Sequence, residues 1–228
     1  MIGVIIDRVE KYLGRGRHSI AVPVMDGPLH PNNRLEEAGQ RFALDGADNL
    51  ASANGILWFS TGATLMRQDP GGSPVVAATM EAEISCLAAA PDGTLAIGLA
   101  GQGILIRGGA RDGLRIGALD GQALVCLTAM TFTQRGTLAV CLGTGDLPAA
   151  EWKRDLMRHG QTGEVWEIDL ATGQGERLAA GLRFPYGICE TPEGFAVSEA
   201  WGHRIVLVTK GAKPRDLLRH LPGYPARL

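Results

Sequence analysis

Along most of this chain the apolar residues come in short runs broken by glycine, and the breaks recur at a steady interval. The densest stretch runs from Gly181 to Arg204 and on through Ile205-Val206-Leu207-Val208. Within it, Gly187-Ile188-Cys189 and Phe195-Ala196-Val197 are β-prone runs separated by Thr191-Pro192-Glu193-Gly194, whose proline-then-glycine order suits a tight reversal. After Trp201-Gly202-His203 the run Arg204 to Val208 supplies a third strand, so the stretch predicts one compact up-and-down sheet.

The pattern repeats from residue 46 onward. Asn49 to Phe59 is echoed by Ser85 to Ile97 and by Leu127 to Val140, and the turn glycines Gly55, Gly93, Gly136 and Gly194 are 38, 43 and 58 residues apart. A third strand follows each turn (Thr64 to Met66, Ile104 to Arg107, Val165 to Ile168, Arg204 to Val208). A weaker fourth comes next (Val75 to Ala78, Leu114 to Ala118, Glu176 to Ala179, Asp216 to Leu218). Four-stranded units recurring every 40 to 50 residues or so predict an all-β fold, a β-propeller with about four blades over residues 45–228. The longest interval holds Ala149 to Arg158, which follows Pro148, carries acid early and base late, and ends near Gly160. It predicts a short helix inserted at 148–160 on a propeller face, where Trp152 and Met157 could cover a site. Residues 1–44 are the least regular: Met1 to Leu13 suits a short helix, Ile20 to Met25 a lone strand, and Pro23 to Asn33, with three prolines, a loop.

Composition narrows the function classes. With 228 residues, 45% of them hydrophobic, the chain has ample material for a core, and a net charge of -2 without clustering offers no basic stripe for nucleic acid. The apolar start, Met1 to Ile6, is too short for a signal segment or a membrane span, so a soluble cytoplasmic protein with a small-molecule partner is expected. Cys86, Cys126, Cys141 and Cys189 lack metal-type spacing, lie in apolar runs and read as buried free thiols. Gly101-Gln102-Gly103 and Gly143-Thr144-Gly145 read as blade turns, and the sequence has no nucleophile elbow, phosphate loop or zinc-protease helix motif.

From Gly136 to Tyr224 the chain resembles the strictosidine synthase-like proteins, relatives of the SMP-30/gluconolactonase and paraoxonase group. The resemblance rests on Gly136-Thr137-Leu138, Glu151 to Leu156, Thr162 to Asp169, Gly181 to Gly187, Ser198 to Ile205 and Leu221 to Pro225. It implies a six-bladed propeller with its ligand site in the central channel. Four blades where six are implied suggests a truncated or partly ordered chain whose open blade edges could self-associate.

Metal-dependent members of that group hold calcium in the channel with one Glu, Asn side chains and an Asp. At the matching positions this chain has Asp48, then Thr128, then Tyr186, and Ala226-Arg227 in place of an Asp-Asn pair. One good ligand of four remains, so calcium is disfavoured and no cofactor is expected. This departure from the group's pattern points instead to a metal-free pocket, with Asp48, Asn49, Thr128, Tyr186, Arg227 and Trp152 as the candidate residues and no catalytic residue assigned. Arg227 would supply the charge that calcium supplies elsewhere, pairing bidentately with a buried Asp48. Glu199 and His203 are weaker candidates, Glu199 tying two strands through Arg204 and His203 occupying a turn. The function implied is that of a strictosidine synthase-like propeller that acts on or binds a small organic molecule without a catalytic metal, by ester or lactone hydrolysis or by condensation. The alternatives are a non-catalytic ligand-binding or sensory propeller and a calcium-dependent lactonase or esterase.

Overall fold

A computed structural model describes residues 36–37 and 44–228. The helix expected at Met1 to Leu13, the strand at Ile20 to Met25 and the loop at Pro23 to Asn33 lie outside the described residues. The chain divides into two units, Met1–Phe42 and Ala43–Leu228, and every strand described below belongs to the second.

Four antiparallel sheets follow one another along the chain, each with its strands in sequence order. Blade I is β1 (Ala47–Ala53), β2 (Ile56–Thr61), β3 (Thr64–Gln68) and β4 (Val75–Thr79); blade II is β5 (Ile84–Ala89), β6 (Leu95–Leu99), β7 (Gly103–Arg107) and β8 (Arg115–Ile116). A two-residue ladder of β9 (Ala118–Leu119) and β10 (Gln122–Ala123) intervenes. Blade III is β11 (Leu127–Phe132), β12 (Leu138–Leu142), β13 (Gly163–Asp169) and β14 (Gln174–Leu182), and blade IV is β15 (Pro185–Thr191), β16 (Gly194–Glu199), β17 (Arg204–Val208) and β18 (Arg215–Leu218). The blades are arranged as a β-propeller, with first strands β1, β5, β11 and β15 packed against one another in turn.

The repeated turns use repeated bonds. In Ala90 to Thr94 the Ala90 N–H donates to the Thr94 carbonyl and the Gly93 N–H to that of Ala90; Thr133 to Thr137 makes the same two bonds, with Gly136 in the place of Gly93. The fourth strand of blade II departs from the expected Leu114 to Ala118. It stops at Ile116, because Asp120-Gly121 takes the chain through positive φ angles of 48° and 78° and folds Ala118-Leu119 back on Gln122-Ala123. Asp-Gly is the preferred pair for such a two-residue hairpin, and it captures residues that would otherwise extend the blade.

Period-two alternation builds a separate apolar core between each pair of blades. Along β12, Leu138, Val140 and Leu142 pack toward blade II with Ile104, Ile106 and Ile116, whereas Ala139 and Cys141 pack toward blade IV with Ile188, Val197 and Val206. On β6, Leu95, Ile97 and Leu99 face blade I with Leu65 and Met80. Both faces of a middle blade are therefore buried, which is why its strands are almost continuously apolar. All four cysteines are free; Cys86, Cys126 and Cys141 are buried and Cys189 is half-buried, and Cys126 lies just ahead of β11 rather than in a strand. The insertion begins with a 3-10 turn at Ala149–Glu151 and continues as the helix α1 (Trp152–Met157). No helix among the described residues is long and apolar enough to cross a membrane.

Candidate functional site

Every first strand carries a β-bulge at the same end. The register shifts between Asp48 and Ala51 in β1, Ile84 and Cys86 in β5, Leu127 and Ala129 in β11, and Pro185 and Gly187 in β15. A bulge leaves a residue out of the ladder and re-aims it. The residues left out are Asn49-Leu50, Ser85, Thr128 and Tyr186, so one equivalent point in each blade is diverted, and Asp48 beside the first of these points, with Ser85, Thr128 and Tyr186 at the others, lines a cavity of about 420 Å³.

Arg227 joins these four points. Its Nη2 donates to Asn49 Oδ1 and to the Ser85 carbonyl at 3.2 Å, and its Nη1 donates to the Thr128 carbonyl at 3.3 Å. The guanidinium carbon lies 5.4 Å from the Tyr186 ring centroid, within range of a cation–π contact. The backbone that delivers Arg227 crosses blade IV at Gly187, where a Cβ would lie 2.6 Å from the Ala226 carbonyl oxygen and 2.8 Å from the Arg227 Cα. Ser198 Oγ donates to that same carbonyl at 2.6 Å.

The remaining candidates take definite places. Asp48 lines the cavity, but its side chain is 64% exposed, and its Oδ1 lies 3.9 Å from Arg227 while accepting the Asn49 N–H at 2.7 Å. The expected buried, bidentate Asp48–Arg227 pair is thus replaced by a looser approach, because the bulge turns Asn49 rather than Asp48 into the buried position against the guanidinium and leaves Asp48 at the exposed rim of the cavity. Asn49 is the buried partner: its Nδ2 donates to Ser60 Oγ at 2.8 Å and to the Ile84 carbonyl at 2.7 Å. The Thr128 hydroxyl donates to the Pro185 carbonyl at 2.6 Å, so its role in the cavity wall is structural.

Trp152 lines the cavity from α1, whereas Met157 is 80% exposed and covers nothing there. Trp201 stacks on Phe184 at 4.4 Å between centroids, lies 6.0 Å from Trp152 and meets Tyr224 edge-on at 5.5 Å; Phe184 in turn stacks on Tyr186 at 6.0 Å. One side of the cavity is therefore a continuous aromatic wall. Sequence reading misses Ser85, Phe184, Trp201 and Tyr224. The signal for the last three is their position at strand entries and turns beside Tyr186, where Phe184 and Trp201 pack in a small apolar cluster with Cys126 and Ala200 at the cavity wall.

Glu199 and His203 lie outside this cavity. Glu199 is fully buried, pairs with Arg204 across the hairpin from β16 to β17 and accepts the Arg183 N–H at 2.8 Å. His203 sits in the turn at φ 49°, its Nδ1 2.5 Å from the Gly223 carbonyl oxygen, to which it donates. Both carboxylate oxygens of Glu199 and the Nδ1 of His203 are thereby engaged. Nor does the donor set fit calcium: Asn49 Oδ1 is taken by a guanidinium, the Thr128 hydroxyl points its proton at a carbonyl, and a permanent cation holds the meeting point of the bulges. Among the described residues no three His, Cys, Asp or Glu side chains are grouped to hold a metal.

No protein-family model and no curated protein matches the sequence. Solved structures do match. The fold is shared with known β-propellers. A gluconolactonase from Xanthomonas campestris superposes with a TM-score of 0.63 at 15% identity, over 79% of this chain and 65% of that one. A catalytically inactive virginiamycin B lyase from Staphylococcus aureus, solved with quinupristin, gives 0.59 at 14% identity, over 79% and 58%. Regucalcin from Agrobacterium tumefaciens, a calcium-binding protein, gives 0.54 at 15%, over 75% and 58%. The chain spans between half and two thirds of the length of these neighbours. The neighbours are of the SMP-30/gluconolactonase-like and lyase propeller types, and at these identities the likeness is one of fold.

Proposed function

We propose that the cavity takes a small organic molecule bearing an ester or lactone carbonyl and hydrolyses it, with Arg227 serving where calcium-dependent relatives use their cation. The observation that carries this reading is the guanidinium held at the meeting point of four bulges, with Tyr186 on its face and Asp48 at 3.9 Å. In this scheme the carbonyl oxygen sits on the guanidinium. A water oxygen adds to the carbonyl carbon, Asp48 takes its proton, and the negative charge developing on the carbonyl oxygen is met by Arg227. When the C–O bond to the leaving alkoxide breaks, that oxygen recovers the proton, giving an acid and an alcohol, or one hydroxy acid from a lactone. The gluconolactonase among the fold neighbours supports the lactone class.

The test is turnover of phenyl acetate and δ-valerolactone by the full chain in the presence of a calcium chelator. Arg227→Ala should lower kcat/KM about a hundredfold or more, as loss of one charge-stabilising donor group does, and Arg227→Lys should restore little, since an ammonium cannot reproduce the fork. Turnover that requires calcium, or that survives Arg227→Ala, contradicts the proposal. Binding of both compounds without turnover would leave a ligand-binding propeller.

A further inference from the structure

The helix α1 is seated without an apolar stripe. Its one buried residue is Asp155, at 1% exposure, while Met157 and Trp152 are exposed. A surface helix ordinarily docks through apolar side chains, and a buried carboxylate costs several kcal/mol unless it is fully partnered. Asp155 is partnered on both oxygens. Its Oδ2 accepts the Trp201 indole N–H at 2.9 Å, and its Oδ1 accepts Arg158 Nε at 3.2 Å and Nη2 at 3.0 Å. Arg158 also donates to Asp146 at 2.6 and 2.9 Å, and Asp146 takes the Thr162 hydroxyl at 3.1 Å. The backbone closes tightly over this knot, since a Cβ on Gly160 would lie 1.9 Å from Asp155 Oδ1. The ring that Asp155 grips is the centre of the aromatic wall, touching Phe184, Trp152 and Tyr224.

We infer that Asp155 is a positioning residue: through the Trp201 indole it fixes the aromatic wall, and with it the affinity of the cavity for flat apolar groups, while standing outside the cavity itself. This rests on the small-molecule reading of the same cavity. Its consequence is a division of labour in which the Arg227 end governs the reacting oxygen and the Asp155 end governs fit. Replacing Asp155 should therefore act on binding and leave the chemical step almost untouched.

The experiment titrates the full chain with acetanilide, the hydrolytically inert amide analogue of phenyl acetate, following tryptophan fluorescence, and records the indole N–H resonances by NMR. For Asp155→Ala we expect the acetanilide Kd to rise about tenfold, near 1.4 kcal/mol, and the Trp201 indole proton to move upfield. KM for phenyl acetate should rise in parallel, with kcat within about twofold, the pattern of lost uniform binding. Asp155→Asn keeps an acceptor oxygen and should recover most of the affinity. Trp201→Phe should weaken binding as Asp155→Ala does, and Asp155→Ala should add nothing in that background. If Asp155→Ala fails to fold, the Trp201 indole resonance of Asp155→Asn carries the test, an unmoved resonance counting against the inference, and Trp201→Phe reports the change in Kd alone. An unchanged Kd and indole resonance, a fall in kcat at constant KM, or no acetanilide binding by the unmodified chain would overturn the inference. Acetanilide binding that depends on Asp155, without any phenyl acetate turnover, would sink the hydrolytic proposal alone.

Discussion

Asn49 makes three side-chain hydrogen bonds, to Ser60, the Ile84 carbonyl and Arg227, from a backbone at φ 54°. Few residues tolerate that left-handed region, and Asn is one of them. Asn49→Ala should therefore cost about 3 kcal/mol in urea unfolding, combining the stranded polar groups with roughly 1 kcal/mol of backbone strain. Asn49→Gly should recover about the backbone share, and equal losses for the two would contradict the division. At Gly187 the effect is one of position: Gly187→Ala pushes against Ala226 and Arg227, so it should reproduce the activity loss of Arg227→Ala while the sheets remain folded by circular dichroism. The sequence points to Asp48 as the acid of blade I, yet its neighbour faces inward. Which of two adjacent side chains turns in is decided by the bulge, and a one-residue shift in a period-two pattern leaves no mark in the order of residue types.

The strands themselves are legible because their signals are local. Hairpins such as Ala90 to Thr94 write their turn chemistry into five consecutive residues, and the alternation along β12 follows from its own sequence. The seat of α1 is not local, since Asp155 finds its partner 46 residues away at Trp201. The same knot should respond to acid. Arg158, by hydrogen bonding, and then Thr162 hold the Asp146 carboxyl down at about 2 against the burial that raises it. A lowered folded pKa means stability present above the usual carboxylate range near 4 and lost as pH falls through about 2. Asp146 is half exposed, so its share is screened to roughly 1 kcal/mol or less. The melting-temperature gap between the unmodified chain and Arg158→Ala should accordingly be smaller at pH 2 than at pH 6; a gap that widens in acid would contradict this linkage.

For the molecule as a whole, stability should also decline in alkali. Burial pushes the Cys86 thiol up to about 12 and the Cys126 thiol up to about 11, and raises Cys141 further. These thiols stay neutral in the folded state while the unfolded chain ionises from about 8.5 upward, so the folded state loses ground as pH rises through that value. Cys141→Ala should flatten the dependence of unfolding free energy on pH by about 1 kcal/mol per unit between pH 9 and 10, a difference that denaturant titrations at the two pH values resolve. At this scale the propeller architecture is readable from the recurring glycines, whereas the meeting of four bulges on Arg227 is not, since it joins residues 178 positions apart. The central proposal is that the Arg227 guanidinium, and not a bound calcium ion, holds the point where the four bulges meet. The most direct test is the melting temperature of the full chain in millimolar calcium and in chelator. Curves that coincide are predicted; a rise of several degrees with calcium, the stabilisation given by a ligand that binds the folded state, would contradict it.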